Sequence, residues 1–102
     1  MIHVIAIITA HPGKRTELLE LFHAVIPTVR EEQGCIEYGV AVDVATADPA
    51  FGPDTYVVIE KWENLATLQA HAAAAHMKAF GAAAGHLIAR RAVHVLEPAP
   101  GP

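Results

Sequence analysis

The sequence lacks the features that mark several common classes of protein. Its 102 residues contain one cysteine, Cys35, so no disulfide can form within the chain. No apolar run approaches the roughly 18 residues that a membrane span needs. Seven lysines and arginines stand against eleven aspartates and glutamates, and the net charge is −4. These absences argue against a disulfide scaffold, a membrane protein and a nucleic-acid-binding protein.

The sequence also lacks the short motifs of cofactor and metal sites. It has no glycine-rich phosphate loop, no dinucleotide fingerprint, no Gly-x-Ser-x-Gly elbow, no His-Glu-x-x-His and no paired cysteines. His71 and His76 are five residues apart, a poor spacing for two metal ligands on one helix. We therefore expect neither an organic cofactor nor a metal. The N-terminus has no basic leader or cleavage site, so we expect a soluble, cytoplasmic protein.

The composition is unusually apolar for a small domain. Hydrophobic residues make up 53% of the chain and charged residues 18%, where about 25% charged is typical. A domain of this size buries only roughly 60 to 70% of the surface of its unfolded chain. The apolar excess therefore predicts a second buried surface, most simply a homodimer interface.

The hydrophobic pattern predicts one α+β domain over residues 1–97 and a disordered, proline-rich tail over 98–102. The order is β-α-β-β-α-β, with elements over about 2–10, 14–34, 35–44, 55–62, 65–84 and 91–96. Pro27 is expected to kink or restart the first helix. Asn64 is a good N-cap for the second helix. The alanines near Ala74 leave open whether this helix is continuous or divided into two pieces. The order is typical of a ferredoxin-like fold with a four-stranded antiparallel sheet.

His71 is the residue most suited to chemistry, because it lies at the edge of the apolar stripe of the second helix. An imidazole there is a candidate general base or a hydrogen-bond donor to a small molecule. A structural histidine bonded to a backbone carbonyl is the alternative. Tyr38 alternates with apolar residues and needs a partner for its hydroxyl, either a substrate or a core residue. Trp62 ends the third strand as a packing wedge or a pocket wall.

Four further side chains are candidates for the pocket wall, although each is also compatible with an ordinary core position. They are Phe22, His76, Met77 and Phe80. Glu60 shares a strand face with Val58 and Trp62, so its carboxyl is expected to be partly buried and paired.

Three segments together resemble the antibiotic biosynthesis monooxygenase family, including its small bacterial quinol monooxygenases. They are Glu-Glu-Gln-Gly-Cys-Ile-Glu-Tyr at 31–38, Glu-Lys-Trp-Glu at 60–63, and His71 with His76 and Phe80. The resemblance extends from Ile2 to about Glu97. It implies a dimeric α+β barrel in which two ferredoxin-like protomers pack sheet against sheet.

The resemblance also implies an activity. Members of this family oxidise small hydroquinones or aromatic polyketides with O2, without flavin, haem or metal. By this resemblance His71 is the base or anchor, and Tyr38 and Trp62 orient the substrate ring. Two other readings stay open, namely an isomerase on the same fold and a non-catalytic dimeric module for ligand binding or stress. The haem-degrading branch fits poorly, because it has a tryptophan where this chain has His71.

Overall fold

The computed structural model describes residues 1–101, so Pro102 at the end of the predicted tail lies outside the described residues. The strands are β1 (Ile2–Ala10), β2 (Cys35–Ala41), β3 (Thr55–Trp62) and β4 (Ile88–Leu96). The helices are α1 (Arg15–Arg30), α2 (Leu65–Ala72) and α3 (Ala75–Ala84), and a 3-10 turn (Gly85–Leu87) leads into β4. The ferredoxin-like β-α-β-β-α-β order is confirmed. None of the helices over residues 1–101 is long and apolar enough to cross a membrane.

The four strands form one antiparallel sheet in the order β2-β3-β1-β4. In β1, burial alternates along the strand, and Val4, Ala6 and Ile8 face the helices. The other residues of β1, such as Ile5 and Ile7, are half-buried and face away from them. Because side chains alternate across a strand, the outer face of the sheet is apolar at its centre but has no helix over it.

Helix α1 packs on the sheet through four buried residues spaced four, four and three apart, which is one helical stripe. They are Leu18, Phe22, Ile26 and Val29. The expected restart of the helix at Pro27 is wrong, since α1 runs unbroken past it to Arg30. Pro27 is exposed, and buried Ile26 and Val29 hold the turn on either side of it. Their packing offsets the roughly 3 kcal/mol that an interior proline costs.

The second helical segment is divided into two helices, an outcome that the sequence left open. Asn64 caps α2 through a reciprocal pair of hydrogen bonds with Thr67. Helix α2 ends at Ala72, the backbone of Ala74 is extended with φ −65° and ψ 144°, and α3 begins one residue later. The break turns α3 relative to a continuous helix, so His71 and His76 do not keep the phase that one helix would impose.

Two strand ends differ from the sequence prediction. Strand β2 ends at Ala41 rather than near Val44, because the carboxylate of Asp43 accepts hydrogen bonds from the backbone N–H groups of Phe51 and Gly52. These bonds fold the chain into a loop and lower the pKa of Asp43. Strand β4 begins earlier than predicted, at Ile88, where its backbone pairs with Ala10.

Candidate functional site

A cavity of ≈ 480 Å³ lies between the sheet and the helices. Its sheet wall is aliphatic and comes from three strands: Val4, Ala6, Ile8, Val58, Ile88 and Val93. Its helical wall comes from α2 and α3: Leu68, His71, Ala72, Met77, Phe80 and Gly81. The structure thus brings three of the candidate residues, His71, Met77 and Phe80, to one cavity.

Aromatic rings close the inner end of the cavity. The ring of Phe22 lies 5.7 Å from that of Tyr38, 5.5 Å from that of Tyr56 and 5.7 Å from that of Phe80, measured between centroids. All four residues line the cavity. Offset and edge-on contacts at such distances are favourable for aromatic pairs. The cluster therefore makes a preformed apolar wall against which a planar ring can lie.

His71 is the most enclosed imidazole of the site, with 7% of its side chain exposed. Its Nδ1 lies 2.8 Å from Oε2 of Glu32. Its ring packs on Trp62 at a centroid distance of 4.7 Å and on Tyr38 at 5.3 Å. The two aromatic rings and the hydrogen bond together fix the plane of the imidazole, and the ring still borders the cavity.

Glu32 was not singled out by the sequence, yet it is central to the site. It lies in the turn between α1 and β2, where its N–H donates to the Val29 carbonyl at 3.0 Å and its carbonyl accepts from Cys35 at 3.1 Å. Besides His71, the same Oε2 contacts Nε2 of His76 at 2.9 Å. A carboxylate only accepts hydrogen bonds, so both ring nitrogens donate to it. This assigns the proton of a neutral His71 to Nδ1 and leaves Nε2 as an acceptor for a pocket ligand.

His76 has a different position from the one that the sequence predicts. It is not among the residues that line the cavity. Its side chain is 28% exposed and lies on the outer side of Glu32, whose own side chain is 14% exposed. The break between α2 and α3 explains the difference, because it changes the direction in which α3 presents its first turn. His76 thus connects the enclosed part of the cluster with the surface.

Trp62 supports the pocket from behind rather than lining it. The residue is fully buried, and its Nε1 donates to Oε1 of Glu60 at 2.9 Å. Glu60, in turn, borders the cavity and is 6% exposed, which confirms the expectation of a buried, paired carboxyl. Burial raises the pKa of Glu60, and the hydrogen bond from Trp62 offsets part of that rise. The site therefore has a second carboxyl that is easier to protonate than an exposed one.

Tyr38 contributes a neutral hydroxyl to the same region. It is almost fully buried and borders the cavity beside His71. Burial, and then the charge of nearby Glu60, raise the pKa of Tyr38 far above its ordinary value. Tyr38 is thus suited to donate a hydrogen bond rather than to act as a base.

Two cations stand among the residues that line the cavity. Lys78 on α3 and Arg91 on β4 both line it, and both residues are exposed. Among residues 1–101, neither makes an ion pair with a carboxylate. The acidic chain therefore presents positive charge at the exposed part of the cavity lining.

The cluster of Glu32, His71 and His76 is also the set of side chains whose chemistry suits a metal ion. One ligand atom from each lies within 4.8 Å of the others. The five-residue spacing of the histidines does not reveal this arrangement, because the two residues lie on separate helices rather than on one continuous helix. The segment Glu-Glu-Gln-Gly before β2 was visible in the sequence, but nothing in it indicated which carboxylate would reach α2.

The chain is similar to known proteins over nearly its whole length. Residues 1–83 match the model of the family described as antibiotic biosynthesis monooxygenase. The chain is 37% identical to "Probable quinol monooxygenase YgiN" of Escherichia coli K12, an alignment that covers 96% of this chain and 98% of that protein.

Solved structures agree with this similarity. The structure of Rv0793 from Mycobacterium tuberculosis has a TM-score of 0.81 at 30% identity, over 98% of this chain and 96% of that one. The structure of PA3566 from Pseudomonas aeruginosa has a TM-score of 0.81 at 25% identity, over 97% and 94%. The relative and the solved structures cover nearly the whole chain, and the family match covers the residues of β1, β3 and the helices that line the cavity. The chain therefore belongs to the antibiotic biosynthesis monooxygenase family.

Proposed function

We propose that this protein is a cofactor-independent monooxygenase that oxidises a small hydroquinone or aromatic polyketide with O2. The observation that carries the proposal is His71, an imidazole that is held by Glu32 at 2.8 Å and borders an aromatic-lined cavity. Membership of a monooxygenase family and the name of the Escherichia coli relative support the same reaction class.

The cavity suits a small aromatic molecule in size and in lining. Its volume of ≈ 480 Å³ lies within the roughly 300 to 1,000 Å³ typical of ligand pockets. A planar ring would lie against the wall formed by Phe22, Tyr56 and Phe80, with its hydroxyl directed toward His71. Tyr38 would donate a hydrogen bond to a substrate oxygen, and Trp62 would hold His71 in place without touching the substrate.

The proposed chemistry needs a base and a dry pocket. Nε2 of His71 accepts the proton of a phenolic hydroxyl, and the resulting anion is electron-rich enough to reduce O2. One oxygen atom of O2 enters the substrate and the other leaves as water. Full reduction of O2 needs four electrons, and the substrate supplies all of them. Oxidation of the hydroquinone to a quinone releases two, and oxidation of the carbon that gains oxygen releases the other two. The aliphatic walls exclude bulk water from the cavity while the substrate is an anion.

We further propose that the protein works as a homodimer through the outer face of the sheet. The centre of this face is apolar and carries Ile5, Ile7 and Ile59, and Ile59 is 39% exposed. At the rim, Lys61 and Glu37 pair at 3.3 Å. A monomer seldom leaves so much of a sheet face uncovered. A second copy with the same face would cover it.

The experiment that tests the proposed reaction is O2 uptake by chelator-treated protein with a panel of hydroquinones and anthrone-like phenols. Wild-type protein should consume O2 above the spontaneous rate, and His71→Ala should not. His23→Ala is the matched control, because His23 is exposed on α1, away from the cavity. Equal rates for wild-type, His71→Ala and buffer would contradict the proposal.

A second candidate, an isomerase of a small anionic substrate, is favoured by Lys78 and Arg91 at the border of the cavity. Two cations there would bind a phosphate or carboxylate group. Conversion of such a substrate under strictly anaerobic conditions would support this candidate and count against the monooxygenase. A strict requirement for O2 would eliminate it.

A further inference from the structure

We propose that Glu32, His71 and His76 form a binding site for one divalent transition-metal ion, and that metal binding there excludes the action of His71 as a base. Binding of the metal does not depend on the proposed monooxygenase reaction. Only its expected effect on turnover rests on that proposal.

The geometry requires little rearrangement. Oε2 of Glu32 lies 2.8 Å from Nδ1 of His71 and 2.9 Å from Nε2 of His76, and the three atoms are within 4.8 Å of one another. A zinc ion binds imidazole nitrogen and carboxylate oxygen at about 2.0 to 2.2 Å. Its tetrahedral ligands are therefore separated by roughly 3.3 Å. Around such an ion the two oxygen–nitrogen distances would lengthen by about 0.5 Å, and the nitrogen–nitrogen distance would shorten by up to about 1.5 Å. Movement of the partly exposed His76 side chain can supply most of this change.

The donor set indicates the class of metal. Two imidazoles and one carboxylate are typical ligands of Zn2+ and other first-row divalent ions, and three protein ligands leave a further position for water. Mg2+ and Ca2+ prefer oxygen ligands and are poorly matched to two ring nitrogens.

The surrounding structure holds the ligands and leaves a route for the ion. Trp62 and Tyr38 pack on the ring of His71, which limits its rotation. Glu32 is held by the backbone of its turn. His76 is 28% exposed, so an ion can reach the cluster from the surface without passing through the cavity. Groups that orient the ligands contribute substantially to metal affinity.

The same atoms cannot serve both roles at once. In the hydrogen-bonded cluster, Nδ1 of His71 carries the proton and Nε2 is the acceptor. A metal on Nδ1 needs the lone pair of that nitrogen, so in a neutral ring the proton moves to Nε2. The nitrogen available to the cavity then donates instead of accepting. Metal occupancy should therefore inhibit any reaction that uses His71 as a base.

Isothermal titration of untagged, chelator-treated protein with ZnCl2 in a non-chelating buffer tests the site directly, and the absorption spectrum of bound Co2+ reports on its ligands. We expect one ion per chain. His76→Ala and Glu32→Gln should each lower the affinity at least about tenfold, while His23→Ala should bind like wild type. Circular dichroism checks that each variant is folded. If Glu32→Gln does not fold, the metal affinity of His76→Ala decides the outcome.

Absence of stoichiometric binding would overturn the proposal, as would an affinity that folded His76→Ala leaves unchanged. Because no substrate is present, a negative titration leaves the monooxygenase proposal intact, and failure of O2 uptake leaves the metal site intact.

Discussion

Glu32 and His71, thirty-nine residues apart in the chain, are joined by a 2.8 Å hydrogen bond between Oε2 and Nδ1. The bond connects the turn before β2 with helix α2 and orders the imidazole at the edge of the cavity. It fixes the tautomer of a histidine that lies at the edge of the apolar stripe of α2. Most of what we propose for the chemistry of this protein depends on that bond.

Replacing Glu32 by glutamine should lower turnover more than substrate binding. The amide keeps the size of the side chain, but it can present its NH2 group to the imidazole and stabilise the wrong tautomer. A general base contributes about 10² to 10⁴ in rate, which sets the upper limit of the loss. Steady-state kinetics with an active quinol should show a reduced kcat at a similar KM. A change confined to KM would contradict the positioning role.

Glu60 should make the stability of the protein depend on pH in a definite direction. Burial raises its pKa in the folded state above the ordinary carboxyl value. Its contribution to stability is therefore full below the ordinary carboxyl pKa and is lost as the pH rises through the raised value. Relative to wild type, Glu60→Gln should gain stability between about pH 4.5 and neutrality. Urea unfolding of both proteins across that pH range measures the difference in their free energy of unfolding. A difference that does not change with pH would refute the effect.

Gly34→Ala should destabilise the fold by about 1 to 3 kcal/mol, because Gly34 has φ +81° and packs against α2. A Cβ there would clash with the side chain of Thr67, which belongs to the capping box of α2. Gly81→Ala is the matched control, since its Cβ would meet nothing within 4 Å and its site is helical. That control should be neutral or more stable by up to about 1 kcal/mol. Equal urea midpoints for the two variants would contradict this packing.

The outer face of the sheet provides a test of the dimer that needs no substrate. Ile59→Glu places a charge at the centre of the apolar face and should convert a dimer into a monomer. Leu65→Glu is the control, because Leu65 is exposed at the start of α2, away from the sheet. Light scattering after size exclusion should give twice the 10.9 kDa chain mass for wild type and the control. A monomeric wild-type protein would contradict the proposal.

The fold could be predicted from the sequence where local patterns decide it. Strands β1 and β3 have the bounds that their apolar runs and flanking turn residues indicate, and Asn64 caps α2 as its side chain suggests. At Pro27 the local rule for proline does not decide the outcome, because the packing of its neighbours, which is a tertiary effect, keeps α1 unbroken. The early end of β2 depends on the hydrogen bonds of Asp43, and these form only once the loop is folded.

The site was predictable only in part, for a related reason. His71 could be placed from its helix phase and Tyr38 from its strand phase, whereas Met77 and Phe80 could only be named as apolar candidates. Glu32 could not, because its partner lies on another element and the contact depends on how the turn before β2 meets α2. The position of His76 depends on the angle between α2 and α3. The alanines between the two helices give no sequence pattern from which that angle could be predicted.

The most direct test of the proposed function is the rate of O2 consumption by metal-free wild-type protein and by His71→Ala, measured with one active hydroquinone. The proposed mechanism predicts catalysed uptake by wild type and a loss of about 10² to 10⁴ in rate for His71→Ala, with His23→Ala unchanged. Catalysed uptake that survives the loss of His71 would contradict the role of the imidazole as the base.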